Sequence, residues 1–369
     1  MTEASSADSA AMRALFAETT CGALIASASA RPHSAAPKIP ICLDTDLSVQ
    51  DACNALAAHK ISSAPVYSPE QGGFVGMFDY RDLVTYVLEV FHKVPKDQIG
   101  AFNAEMEITD IVKRASMDRT GVPIKLVSNL SQKNPLVAVY TTAPVLMALN
   151  EFARDPSLHR LVVLEKDEGN KDKFVGVLSQ SLICAIVAEK FGRMSRKFGH
   201  ASTVEAGTAT IDFPQGELSL DALGLVRAEK VYTMDLNDTV LDALYTMHIN
   251  HLSSVAIVDK VHGQSRLEGS ISMSDIKDIL SSRGGWRHLY DPCFRFFAQL
   301  RAMQGLEANG ADRMPLFTVH PSTPLIVAME KMTAVRTHRL WIVSEGARGD
   351  VVGVLGLGDI MPVVAAASQ

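Results

Sequence analysis

The sequence predicts an α/β protein assembled from four β-α-β-β-α repeats. Three observations carry this expectation. The stretch LHRLVVLEKD at 158–167 has a near-copy, THRLWIVSEG, at 337–346, and both lead through a polar loop to a glycine. With that stretch as a probe, four units align: ISSAPVYSPEQGGFVGMFDYRDLVTYVL at 61–88, HRLVVLEKDEGNKDKFVGVLSQSLICAIV at 159–187, LSSVAIVDKVHGQSRLEGSISMSDIKDIL at 252–280 and HRLWIVSEGARGDVVGVLGLGDIMPVV at 338–364. One column alternates: the first and third units carry Ser62-Ser63 and Ser253-Ser254 where the second and fourth carry His159-Arg160 and His338-Arg339.

Within each unit the elements follow in a fixed order. A short apolar strand comes first, as in LVAVY at 136–140 and LFTVH at 316–320. A helix follows, in SVQDACNALAAHK, PVLMALNEFARD, TVLDALYTMHIN and PLIVAMEKMTAV, each with apolar residues near i, i+3, i+4 and i+7. Pro144 and Pro324 suit a first helical turn, and Ser48 and Thr239 stand in the same column as N-terminal caps. Two apolar runs then read as a hairpin: Ala64–Tyr67, Leu161–Leu164, Val255–Val258 and Leu340–Val343, each answered by a run opening on Gly76, Gly176, Gly269 or Gly353. A second helix closes the unit. One unit is too small to bury both faces of its sheet, so the repeats are expected to pack as an A–B pair followed by a second A–B pair.

The predicted boundaries are 38–92, 123–191, 227–281 and 315–366 for the repeats. Residues 1–37, rich in Ala and Ser, read as a disordered tail with one weak helix near Ala11–Ala17. Residues 93–122 read as a connector, 192–226 as a linker between the pairs, and 282–314 as an aromatic connector with Trp286, Tyr290, Phe294, Phe296 and Phe297. Those aromatics either cover a helix end or form a docking surface.

The net charge of −6 makes no case for nucleic acid or an anionic membrane. Five cysteines, with no CxxC, suit a cytoplasmic or nuclear protein with reduced thiols. No apolar run approaches the length of a membrane span. GxxxxGK[ST], HExxH and GxSxG are missing, and the polar residues that stand out recur by register rather than as a nucleophile–base set. A non-catalytic chain is expected, with no cofactor or metal.

A β-α-β-β-α unit carrying G-h-x-[ST]-x-x-D after its third strand resembles the cystathionine β-synthase (CBS) domain. Four in register, with His-Arg-Leu in the second and fourth, are similar to the γ-type regulatory subunits of AMP-activated protein kinase. The resemblance covers about 40–365 of the chain. It implies two tandem pairs in a disk-like arrangement, and clefts between paired repeats that bind AMP, ADP or ATP as a regulatory ligand. The implied partners are protein kinase catalytic and scaffold subunits, or another regulated protein.

In that family the closing Asp bonds the ribose hydroxyls, while the earlier hydroxyl and neighbouring His or Arg residues hold phosphate. The chemistry is sound. A carboxylate accepts hydrogen bonds from both hydroxyls of a cis-diol. Helix-start amides and Arg favour an anion, each charge-assisted bond contributing about 1.5–3 kcal/mol.

Carried over by position, Asp82, Asp275 and Asp359 are candidate ribose acceptors, and Leu182 disables the second repeat. The phosphate column reads Asp79, Ser179, Ser272 and Gly356, with Ser274 a further hydroxyl in the third repeat. His159, Arg160, His338 and Arg339 complete the phosphate set; His59, Lys60 and His251 are weaker candidates. The third repeat ranks first. Asp79 repels phosphate in the first unless Arg81 or a cation compensates. Gly356 and Gly358 leave the fourth without hydroxyls. The expected function is a nucleotide-sensing regulator of a kinase complex. The alternative is a four-CBS interaction protein regulating a phosphatase or other partner with little nucleotide dependence.

Overall fold

Each repeat builds one three-stranded sheet. In the first, β1 (Leu43–Asp44) runs parallel to β2 (Ser63–Ser68), which turns back into antiparallel β3 (Gly73–Asp79). The order recurs in β4 (Ala138–Tyr140), β5 (Arg160–Lys166) and β6 (Asp172–Ser179), and in β7 (Thr233–Asp235), β8 (Ser254–Val261) and β9 (Gln264–Ser272). It recurs again in β10 (Thr318–Val319), β11 (Arg339–Val343) and β12 (Val351–Gly356). The structure, a computed structural model, describes residues 12–29, 40–59, 61–90, 121–133, 135–192, 213–261, 264–277, 285–299, 316–345 and 350–369.

The helices after the first strands span Val49–Ala58, Val145–Arg154, Val240–Ile249 and Leu325–Val335. Their starts are set by the predicted column. The Ser48 and Thr239 hydroxyls accept from the amides of Asp51 and Asp242 at 3.0 and 3.1 Å, which satisfies an otherwise orphaned helical donor. Pro144 and Pro324 take the cap position itself, each just ahead of the first helical residue.

The hairpins differ from expectation in one respect. The returning strands begin ahead of the glycine, not on it: β6 starts at Asp172 and Gly176 lies inside. Every hairpin shifts register there, between Val66/Tyr67, Val163/Leu164, Ile257/Val258 and Ile342/Val343. A bulge at each glycine leaves room for a segment from elsewhere. A Cβ on Gly269 would stand 2.8 Å from the Phe297 ring, one on Gly176 3.2 Å from Ile25, and one on Gly76 3.1 Å from the Ser128 hydroxyl.

Those segments are leaders, each preceding one repeat in sequence and clasping its neighbour. Isolated bridges pair Thr20 with Pro144, Ser48 with Pro123, Ser219 with Pro324 and Thr239 with Pro292. The leader of the first repeat therefore clasps the second, and that of the second clasps the first. The third and fourth exchange leaders in the same way. The residue after each leader bridge, Cys21, Ile124, Leu220 or Cys293, is fully buried.

Two expectations are corrected by these clasps, and a third is made specific. Residues 12–29 are not a disordered tail: they form helices over 12–18 and Cys21–Ser29, with Met12, Phe16 and Leu24 in the core. The linker assigned to 192–226 docks its 213–225 portion on the fourth repeat. The aromatic connector docks on the third, burying Phe296 and Phe297 while Tyr290 and Phe294 stay exposed. Ala and Ser dominate the first leader, so its few apolar residues give little periodic signal. Residues 93–120 and 193–212 lie outside the described residues.

Two compact units result. One holds the second and fourth repeats (residues 1–40, 137–231 and 317–369), the other the first and third (41–136 and 232–316). Each has one continuous apolar cluster. Helix packing within each unit joins alternate repeats. The Ser-Ser and His-Arg columns follow that packing: each unit carries one kind only.

Candidate functional site

The predicted polar residues converge on a corner in each repeat, where the returning strand ends and the second helix begins. Cross-strand register places Arg160 opposite Ser179, Arg339 opposite Gly356, Ser254 opposite Ser272, and Ser63 opposite Asp79. The next residue ties the corner down. The amides of Gln180, Met273 and Leu357 donate to the carbonyls of His159, Ser253 and His338 at 3.2, 3.1 and 3.2 Å. The His-Arg column and the hydroxyl column, far apart in sequence, are thus immediate neighbours.

In the third repeat the amide of Ser272 donates to Asp275 Oδ2 at 2.8 Å, and the Ser272 and Ser274 hydroxyls bond each other at 3.0 Å. Asp275 and both serines are partly exposed. The fourth repeat keeps the capping bond, from the Gly356 amide to Asp359 Oδ2 at 2.9 Å, and Asp359 is also partly exposed. Its glycine at 358 has a steric reason: a Cβ there would lie 2.5 Å from the Pro156 carbonyl oxygen. The second repeat's loop packs against the fourth repeat's corner and leaves no room for the hydroxyl that Ser274 supplies in the third.

The second repeat has Ser179 as a helix cap, accepting from the Leu182 amide at 3.3 Å and bonded to the Ser181 hydroxyl at 2.9 Å. Leu182 packs against the apolar cluster. Arg160, His159 and Arg339 are half-buried and His338 is exposed.

The first repeat departs from its predicted role. Asp82 is 0 % exposed. Its Oδ2 accepts from the Asp79 amide at 3.1 Å, and its Oδ1 accepts from the amide and hydroxyl of Ser131 at 3.0 and 2.6 Å. Burial, then the neighbouring Asp79, pushes its pKa up to about 7, against the opposing pull of Ser131. A carboxylate so enclosed cannot reach a ribose, so Asp82 is withdrawn as a ribose acceptor. Arg81 does compensate Asp79, with Nε 3.2 Å from Oδ2. Ser63, opposite Asp79, keeps a buried hydroxyl with no partner.

Sequence reasoning missed Ser131, Pro156 and His248. His248 Nδ1 lies 3.3 Å from the Thr85 hydroxyl and joins the third repeat's helix to the first's. Burial, then His251, lowers its pKa. None of the three sits in the aligned column, and each acts on a distant repeat. His59 follows the first helix and His251 adopts left-handed backbone, while Lys60 lies outside the described residues.

Four small sheets with polar strand–helix corners define a tandem-repeat α/β module. The family model of the CBS domain matches residues 37–89, 127–189, 226–282 and 311–366, and the chain belongs to that family. It is 25% identical over 336 residues to Protein SDS23 of Kluyveromyces lactis, covering 88% of this chain and 60% of that one. It is 29% identical over 305 residues to Protein sds23 of Neosartorya fischeri, covering 81% and 50%. The chain thus spans only 50% to 60% of these curated relatives. Among solved structures, a Methanocaldococcus jannaschii protein described as a proposed archaeal homolog of g-AMPK shares the fold. The TM-score is 0.58 at 14% identity, over 88% of this chain and 95% of that one.

Proposed function

We propose that this chain is a non-catalytic regulator that acts by contact on a partner protein, a phosphatase or another regulated protein, with little dependence on nucleotide. Adenine nucleotide, where it binds, uses the third repeat. The observation that carries this is the inequality of the corners. Only the third combines a partly exposed acid, Asp275, with two hydroxyls, Ser272 and Ser274. The first is filled by Ser131, the second has Leu182, and the fourth is narrowed by Pro156. In the second and fourth repeats, Ser179, His159-Arg160 and His338-Arg339 then serve phosphate with less selectivity, and Asp359 is left as a weaker ribose acceptor. The similarity to SDS23 proteins supports the regulatory reading. The intact third corner favours a second reading, an AMP-, ADP- or ATP-sensing subunit of a kinase complex in the cytoplasm or nucleus.

Calorimetric titration with AMP, ADP, ATP and adenosine, with and without Mg²⁺, separates the two readings. The proposal expects one weak site that Asp275→Ala removes, and a partner recovered equally with and without nucleotide. Several micromolar sites, with partner capture that follows AMP or ATP, would reject it for the sensor.

A further inference from the structure

We infer that the first repeat carries its own occupant: Ser131 of the leader takes, on Asp82, the place a ribose hydroxyl would fill, and closes this corner from within. The inference rests on the reading of the aspartate column as a ribose acceptor.

The contact is built. Pro123 bridges Ser48, the Ile124 amide donates to the Leu47 carbonyl at 2.8 Å, and the Asn129 amide donates to the Met77 carbonyl at 3.1 Å. Ser128 fills the space over Gly76. The leader then turns through two left-handed residues, Asn129 at φ 56° and Gln132 at φ 53°, on either side of Ser131. That turn sends both the amide and the hydroxyl of Ser131 to one oxygen, Asp82 Oδ1. A serine hydroxyl and a ribose hydroxyl are the same kind of donor to a carboxylate. In the third and fourth repeats, by contrast, Asp275 and Asp359 are partly exposed.

The exclusion therefore acts at the ribose end of a nucleotide. Ser131 opposes the ribose by occupation, while Arg81 pairs with Asp79 at the phosphate end. The same leader runs on into β4 of the second repeat, so whatever draws the leader away opens the first corner. The first repeat is by this account a latched site, not a decayed one.

Adenosine is the probe, because it tests the ribose end without a phosphate. Titrations compare the Asp275→Ala chain with Asp275→Ala/Ser131→Ala and with Asp275→Ala/Ser131→Ala/Asp82→Asn. The expected result is that removing the hydroxyl tightens adenosine binding at least about tenfold and that Asp82→Asn abolishes the gain. A folded Ser131→Ala chain with no gain overturns the inference. Adenosine binding that survives Asp275→Ala in the otherwise wild-type chain rejects the ribose reading of the third repeat separately. If Ser131→Ala does not fold, hydrogen exchange on the wild-type chain decides. The Ser131 amide is expected to be protected about a hundredfold or more, and an unprotected amide overturns the inference.

Discussion

Replacing Phe16 by Ala tests whether the first leader is part of the fold. Phe16 is 2 % exposed and belongs to the apolar cluster that includes Val145, Leu149 and Phe152 of the second repeat. Truncating a buried Phe removes transfer free energy and leaves a cavity, at a cost of about 3–5 kcal/mol. In a unit of this size each kcal/mol lowers the melting temperature by about 2–4 °C, so the expected drop is about 6–20 °C. Phe294→Ala is the control, since Phe294 is 48 % exposed and a surface truncation costs about 0.5 kcal/mol or less. Calorimetric melting gives the total. Hydrogen exchange locates it, with loss of protection expected in 137–191 and 317–369 and not in the unit formed by 41–136 and 232–316. If Phe16→Ala melts within about 1 °C of Phe294→Ala, the leader contributes nothing and the exchanged-clasp account fails.

Asp82 should make stability depend on pH. Its folded pKa of about 7 lies above the ordinary 3.8, so the fold favours the protonated acid. That contribution is fully present below about 3.8 and is lost as pH rises to about 7. Asp82→Asn mimics the protonated form, and its melting temperature should gain on wild type between pH 5 and pH 8; parallel curves would show that Asp82 titrates normally. Gly269→Ala should cost about 1–3 kcal/mol by overpacking, because its Cβ would meet the Phe297 ring at 2.8 Å. Adding Phe297→Leu should restore part of that loss in urea melts, and equal destabilisation in both backgrounds would mean the ring is not the obstacle.

The repeat, the hairpins and the helix starts were legible because each rests on neighbours a few residues apart. The Ser48 and Thr239 caps show this, as do the glycines at which all four hairpins shift register. The candidate corner was half legible. The alternation of Ser-Ser with His-Arg marked one column, and the register places Arg160 opposite Ser179 and Arg339 opposite Gly356. What no local pattern shows is which leader clasps which repeat.

The sequence by itself determined the four-part α/β plan, the caps at Ser48 and Thr239, and the Leu at 182 where the other repeats carry Asp. All of these are properties of residues within one aligned unit. Only the tertiary structure decided that residues 12–29 are core and not tail, that Pro156 forces the glycine at 358, and that Ser131 fills the acid at 82. Each depends on a contact between distant segments, and a buried carboxylate's role is set by whichever donor reaches it first.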